Sequence, residues 1–241
     1  MTRDRHSRRH RAALAILAGA ALLLLALFVS LGVWQIQRLA WKQDLIARVD
    51  ARLAADPVAA PLPAAWDSIT REGDEYRKVS VTGRFDHRHE VRVQAVTDLG
   101  AGFWVVAPLV APDATYLVNR GFVPADLRDP ANRKAGQVAG QVTVTGLLRI
   151  SEPDGAFLRA NDPANDRWYS RDVAAIAAQD GLTAAPFFID ADATPNPGGS
   201  PVGGLTVVSF RNAHLGYALT WFGLAAGVLA AAFLVWRYGR K

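Results

Sequence analysis

The sequence predicts a membrane protein of the α+β class, in which two transmembrane helices flank one external domain built on a mostly antiparallel β-sheet or small barrel. Two long apolar segments predict the helices, because about 20 apolar residues suffice to cross the hydrocarbon core of a bilayer. Between them, many short segments with turn-rich connections predict the sheet. The apolar segments also explain a hydrophobic content of 51%, which is high for a wholly soluble protein.

The first apolar segment follows a basic N-terminus. Residues 1–11 carry five arginines and one aspartate, whereas residues 12–34 carry no charged side chain. This stretch is longer than the apolar core of a secretory signal, which spans about 7–15 residues, and it ends at Trp34 and Gln35. We therefore predict an uncleaved transmembrane helix over residues 12–34.

The second apolar segment, residues 213–236, precedes a short basic tail, residues 237–241, that contains Arg237, Arg240 and Lys241. Basic residues beside a span favour the cytoplasmic side of the membrane. Both termini are therefore predicted to be cytoplasmic, and the residues between the spans are predicted to be periplasmic. The predicted location is the inner membrane of a cell, crossed twice.

Residues 35–66 predict a helix that leaves the membrane and then a linker. Leu45, Ile46 and Val49 recur at helical spacing, which indicates an amphipathic helix. Three prolines within residues 54–66 end this helix and predict an extended linker into the domain.

Residues 67–212 predict the β-rich external domain. One short helix is expected within residues 169–181, capped by Ser170 and closed by Gly181. Strands are expected from the β pattern and the flanking turn signals over residues 77–85, 90–96, 103–110, 115–123, 141–150, 187–192 and 205–212. Many short strands with few helices indicate a mostly antiparallel sheet or small barrel.

Composition excludes several classes of function. The chain has no cysteine, which rules out disulfides, thiolate metal sites and cysteine nucleophiles. The net charge of +5 is concentrated at the chain ends, so it indicates membrane topology and no nucleic-acid partner is expected. No hydrolase, zinc-protease or nucleotide-binding motif occurs, and we predict a protein that is not an enzyme.

The most polar cluster of the domain runs from Asp86 to Glu90 and contains His87 and His89. On a strand these two imidazoles would point to one face, where a metal ion could bind. The cluster lies between two predicted strands, which favours a solvated turn instead. A copper site is further disfavoured because Met1 is the only methionine and cysteine is absent.

A second candidate site is Asn119, Arg120 and Gly121, at the end of an apolar strand. The Arg120 guanidinium could pair with a propionate or another carboxylate of a ligand. It could equally form a structural ion pair with an acid of the domain. The motif leaves both alternatives open.

The third candidate is His214, which lies about one helical turn inside the outer end of the second span. A neutral imidazole is a good ligand for haem iron, and flanking aromatic rings can pack on a porphyrin. The alternative is an interfacial histidine that bonds to lipid headgroups or a loop carbonyl. Helical spacing puts Tyr217, Ala218, Trp221 and Ala225 on its face. The opposite face of this helix carries only small residues, which suits packing on another helix; they are Gly216, Gly223, Gly227 and Ala231.

Several segments carry a resemblance to a known family. They are LGVWQIQRLAWKQDLI at 31–46, VTGRFDHRHEVRV at 81–93, YLVNRGFVP at 116–124, VTGLLR at 144–149, and PVGG at 201–204 followed by RNAHLGYALTWF at 211–222. In order and spacing the chain resembles the Surfeit-locus-one family of cytochrome c oxidase assembly factors. The likeness extends from about residue 12 to residue 236.

The resemblance implies a role in maturing a haem-copper oxidase. It implies that the protein binds haem a transiently and helps to place it in the catalytic subunit of the oxidase. The implied partners are that catalytic subunit and haem a synthase. The family's haem-ligating histidine corresponds to His214, and Tyr217 and Trp221 would flank the porphyrin. Other family-motif positions are Trp34, Gln35, Arg38, Asn119, Arg120 and Gly121. The alternative is a membrane-anchored scaffold that never binds haem.

Overall fold

A computed structural model describes residues 2–156, 158–208, 210 and 212–238, with side chains described from residue 12 onward. The chain forms two compact units, which we describe separately. The membrane unit comprises Met1–Arg48 and Ser209–Lys241, and the β unit comprises Val49–Val208.

The described part of the chain contains four α-helices and seven strands. Helices α1 to α4 are Thr2–Ala54, Arg71–Asp74, Val173–Gln179 and His214–Tyr238. Strands β1 to β7 are Val58–Ala59, Lys78–Phe85, Val91–Thr97, Gly100–Val110, Thr115–Pro124, Val142–Ile150 and Ala184–Ala191.

The two terminal helices have the length and composition of membrane spans. The apolar part of α1, within residues 12–54, has a window of mean hydropathy 2.8, and α4 has one of 2.1. Helix α1 continues without a break from the predicted span through the predicted amphipathic helix to Ala54, because no proline interrupts it. The tail residues Arg240 and Lys241 lie outside the described residues.

The strands of the β unit close into a small barrel. The order is β1-β2-β6-β7-β5-β4-β3, and β2 also pairs with β4 through Arg84 with Val110 and Phe85 with Leu109. This extra pairing makes a ring of β2, β6, β7, β5 and β4. All strand pairs are antiparallel except β1–β2 and β5–β7. The prediction of a mostly antiparallel sheet or small barrel between two apolar helices is confirmed.

Strand β5 is buried on both faces because successive side chains point to opposite sides of the sheet. Tyr116 and Val118 belong to the apolar cluster inside the ring. Leu117 belongs to a second cluster, formed with Trp168 and with Ile176 of α3. This double burial explains why the segment is a nearly continuous apolar run rather than an alternating one.

Two local predictions are wrong. Residues 205–208, 210 and 212 are not in a strand, and positions 209 and 211 lie outside the described residues. Both edges of β7 are already paired, with β6 and β5, so the segment that follows has no edge beside it. Helix α3 is capped by Asp172, which accepts from the Ala175 N–H at 3.1 Å, and not by Ser170.

The Pro-rich segment is more than the linker that we expected. Val58 and Ala59 pair in parallel with Val79 and Ser80 of β2, so this segment adds an edge strand to the sheet.

Candidate functional site

The central feature of the membrane unit is a hydrogen bond between its two helices. His214, the first residue of α4, places its Nδ1 atom 2.8 Å from the Oε1 atom of Gln35 on α1. Gln35 is buried, with 9% of its surface exposed. An amide oxygen can only accept a hydrogen bond, so in the neutral form of the imidazole the proton lies on Nδ1. The lone pair is therefore on Nε2.

This tautomer is the one that binds a metal through Nε2. A ligating histidine almost always donates its other ring N–H to a neighbouring acceptor, which fixes the orientation of the ring. Gln35 occupies that position here, and no hydrogen bond links Nε2 to the residues described by the structure. Gln35 was predicted only as a family-motif position with no assigned role. A sequence does not show which residues of two helices far apart in the chain face each other.

The two aromatic residues predicted to flank a ligand have different surroundings. Tyr217 is 58% exposed. The Trp221 ring stacks on Phe28 of α1, with centroids 5.8 Å apart and planes at 27°. Trp221 is therefore braced by α1 on one side, whereas the Tyr217 ring is open to a ligand.

The two faces of α4 differ from the prediction. The face that carries His214 packs on α1, since Ala218 and Ala225 are buried there. A side chain added at Gly223 or Gly227 would meet nothing within 4 Å, so the glycine face is open. The small residue at the helix contact is instead Gly32 of α1, where the Cβ of a larger residue would lie 2.7 Å from the Phe222 ring.

The remaining motif residues of α1 do not join the His214 pair. Trp34 is 51% exposed. The Arg38 guanidinium lies 4.4 Å from the Trp41 ring centroid, a cation–π contact within the same helix. Among Trp34, Gln35 and Arg38, only Gln35 is hydrogen-bonded to the histidine.

In the β unit, Asn119 belongs to a buried ion-pair network. Its Nδ2 donates to Asp190 Oδ1 at 2.7 Å. Asp190 also accepts from Arg149 at 2.8 Å and from Arg171 at 3.0 Å. Asp190 is 2% exposed, so this network compensates a buried charge and has a structural role. Sequence reasoning missed it, because its members come from four separate segments of the chain.

Gly121 is required by the backbone. Its φ is +126°, and a Cβ at this position would lie 2.2 Å from the carbonyl oxygen of Val202. That close approach accompanies a two-way backbone pairing between Phe122 and Val202.

Arg120 is buried without an acid at salt-bridge distance, although the charge of Glu90 opposes the effect of burial on its pKa. It is 2% exposed, and its Nη2 donates to the Gly136 carbonyl at 2.6 Å and to Asn196 Oδ1 at 2.9 Å. Within the described ranges it forms no salt bridge, so the structural ion pair that we considered is not present. Burial lowers the pKa of Arg120 to about 10. The Phe85 ring, 4.6 Å away, gives partial compensation.

His87 and His89 lie in a 3₁₀ turn between β2 and β3, and the strand geometry that would align their rings is absent. His87 Nε2 donates to the Val138 carbonyl at 3.0 Å, whereas His89 Nδ1 bonds to Asp86 at 2.8 Å. In the part of the chain that the structure describes, no three His, Cys, Asp or Glu residues cluster as a metal site. The turn that we favoured is confirmed, although His87 is partly buried.

Comparison with known proteins matches most of the chain. A family model described as the SURF1 family covers residues 22–226. Surfeit locus protein 1 of Rattus norvegicus is 41% identical over 213 residues, which are 81% of this chain and 68% of the rat protein. Surfeit locus protein 1 of Homo sapiens is 40% identical over 214 residues, 81% of this chain and 69% of the human protein.

Proposed function

Because the chain belongs to the SURF1 family, known as cytochrome c oxidase assembly factors, we propose that it binds haem a and assists its insertion into the catalytic subunit. Its role is to carry a cofactor, not to catalyse a reaction. The observation that carries the proposal is the 2.8 Å hydrogen bond from His214 Nδ1 to Gln35. It leaves Nε2 as the iron ligand.

The amide partner suits transient binding. A carboxylate that accepts from Nδ1–H raises the basicity of a ligating imidazole and strengthens the metal bond. The Gln35 amide is neutral, so it orients the ring with a smaller increase in basicity. A carrier must release its cargo to the oxidase, and a moderately basic ligand favours release.

Aromatic side chains complete the proposed haem contact. The exposed Tyr217 ring lies one turn beyond His214 on α4 and can pack against a porphyrin. Trp221 lies one turn further along, and its stacking on Phe28 holds it in place. We assign Tyr217 the direct contact and Trp221 the supporting one.

The proposal also includes a membrane topology. The arginines of residues 1–11 and Arg237 favour a cytoplasmic location for both termini, and His214 would then lie at the periplasmic end of its span. The β unit is then periplasmic, where it can contact the oxidase subunit and the haem a synthase. Fusion of a periplasm-specific reporter after residue 241 tests this, and an active reporter there would contradict the topology.

The insertion role is tested in cells that make haem a. Deleting the gene is expected to lower the haem a content per catalytic subunit of the oxidase, and the wild-type gene is expected to restore it. His214→Ala should fail to restore it, whereas the matched variant His89→Ala, in the turn between β2 and β3, should succeed. Fully haem-loaded oxidase in the deletion strain would contradict the assembly role.

A further inference from the structure

The β unit contains a cavity of about 260 Å³ at the end of the barrel where β2 and β7 end and β6 begins. Its walls include Phe85, the first half of β6 and the loop that follows β7. Arg120 of the Asn119–Gly121 motif lines this cavity, and the proposed haem site does not use it.

Arg120 lines the cavity from the barrel interior. It lies two residues beyond Val118 and four beyond Tyr116, on the same face of β5, so it continues the apolar row inside the ring. A guanidinium at the end of such a row has lost most of its hydration. The depressed pKa of Arg120, about 10, reflects that loss.

The guanidinium is only partly satisfied. Nη2 uses its hydrogens on Gly136 and Asn196, while Nε and Nη1 are buried and have no hydrogen-bond partner in the described part of the chain. Buried polar groups are rarely left unpaired, because each one destabilises the folded state unless a ligand or water pairs with it. A ligand that accepts from Arg120 would remove this cost.

The walls of the cavity limit what that ligand can be. Among its described lining residues, Arg120 carries the only positive charge and Asp192 the only negative one. A dianion such as phosphate would lack a second cation and would be repelled by Asp192. The Thr194 hydroxyl can donate, and Val142 and Val144, on the inner face of β6, can contact a short apolar chain. This combination fits one carboxylate on a small aliphatic group.

We propose that the cavity binds a single carboxylate, carried by a short-chain carboxylic acid or by an acidic side chain of a partner protein, with Arg120 as its counter-ion. Hydrogen bonds between a guanidinium and a carboxylate are stronger than those between neutral groups, and burial strengthens them further.

The test measures the thermal unfolding midpoint of the full-length protein in detergent at pH 7 and constant ionic strength, with sodium propionate replacing sodium chloride. A saturable rise of about 3–5 °C is expected at tenfold excess over Kd. A blocked peptide with one glutamate, compared with its glutamine twin, tests the protein-borne source. A rise with the glutamate peptide over its glutamine twin supports a protein-borne carboxylate, and a rise with propionate alone supports a free acid. No rise with either probe overturns the proposal.

Variants tie the rise to Arg120. Arg120→Met removes the cation at similar volume and should abolish the rise, whereas Arg88→Met, at a side chain 85% exposed, should keep it. Asn196→Asp places a carboxylate beside Nη2, so the rise should also disappear there even if Arg120→Met does not fold. An equal rise in wild type and either cavity variant would overturn the proposal.

Discussion

Gln35 and His214, 179 positions apart in the chain, are joined by one hydrogen bond between two helices of membrane-spanning length. The bond selects the imidazole tautomer with a free Nε2, and Gln35 is a buried polar side chain. This hydrogen bond is the observation within the membrane unit that supports His214 Nε2 as the proposed haem ligand.

Replacing Gln35 tests that relationship. Gln35→Leu removes the acceptor that orients the imidazole, so the haem affinity of the full-length protein should fall about 10–100-fold, as when the hydrogen-bond partner of a metal-ligating histidine is lost. Gln35→Glu should retain or increase the affinity and slow the release of haem. Haem titration followed by absorbance measures both. The exposed neighbour Trp34→Phe serves as control, and an unchanged affinity in Gln35→Leu would refute the tautomer argument.

Helix contact near the site can be tested at Gly32. Gly32→Leu should overpack the contact with Phe222 and destabilise the protein by about 1–3 kcal/mol. Because Gly32 lies one helical turn from Gln35 on α1, the change should also push α4 away from α1 near the Gln35–His214 hydrogen bond. Haem content of the purified protein should drop. Gly223→Leu adds the same side chain on the open face, where nothing lies within 4 Å, and should not reduce haem content. Equal effects in the two variants would argue against the assignment of faces.

The sequence predicted the fold well and the site only in part. Long apolar segments and alternating segments such as Val142 to Val144 carry their own structural signal, so the spans and most strands were found. Closure of the barrel by Phe85 with Leu109 and the pairing of Gln35 with His214 are tertiary, so no local pattern shows them.

Where local prediction failed, tertiary structure decided between alternatives that the sequence offers equally. Ser170 and Asp172 are both good helix caps. Ser170 is instead used as an acceptor for the Gly155 N–H and the Asn161 amide, which leaves Asp172 to cap α3. Haem binding by His214, Tyr217 and Trp221 stays a prediction.

Asp190 provides a test of the buried network in the β unit. Asp190→Asn removes the charge that Arg149 and Arg171 share, and we expect a loss of about 3–5 kcal/mol in the free energy of unfolding. Urea denaturation measures it. Asp98→Asn, at an exposed turn residue, should change stability by less than about 0.5 kcal/mol. A small effect at Asp190 would show that the network contributes little.

Backbone strain predicts a second stability difference. Gly121→Ala must displace the Val202 carbonyl and adopt a φ of +126°, which should cost about 3 kcal/mol or more. Gly140→Ala has a φ of +87° but open space around its Cβ, so it should cost about 1 kcal/mol. Thermal unfolding of the two variants checks the order, and a reversed order would contradict the close approach at Gly121.

Asp86 gives a pH-dependent prediction. Hydrogen bonds from Arg88 and His89 lower the pKa of Asp86 from 3.8 to about 2. The folded state therefore prefers the carboxylate, and its stabilising effect is present above pH 3.8 and is lost as the pH falls towards 2. The difference in unfolding midpoint between wild type and Asp86→Asn should shrink across that window. A constant difference would mean that the turn does not favour the charged form.

The central claim is that His214 ligates haem iron, and the absorption spectrum of the detergent-purified protein from cells that make haem a tests it most directly. Wild type should show a Soret band, and His214→Ala should retain less than about a tenth of the haem per protein, since loss of a ligand lowers the affinity at least as much as loss of the residue that hydrogen-bonds to it. Equal haem content in the two proteins, or no Soret band in wild type, would contradict the claim.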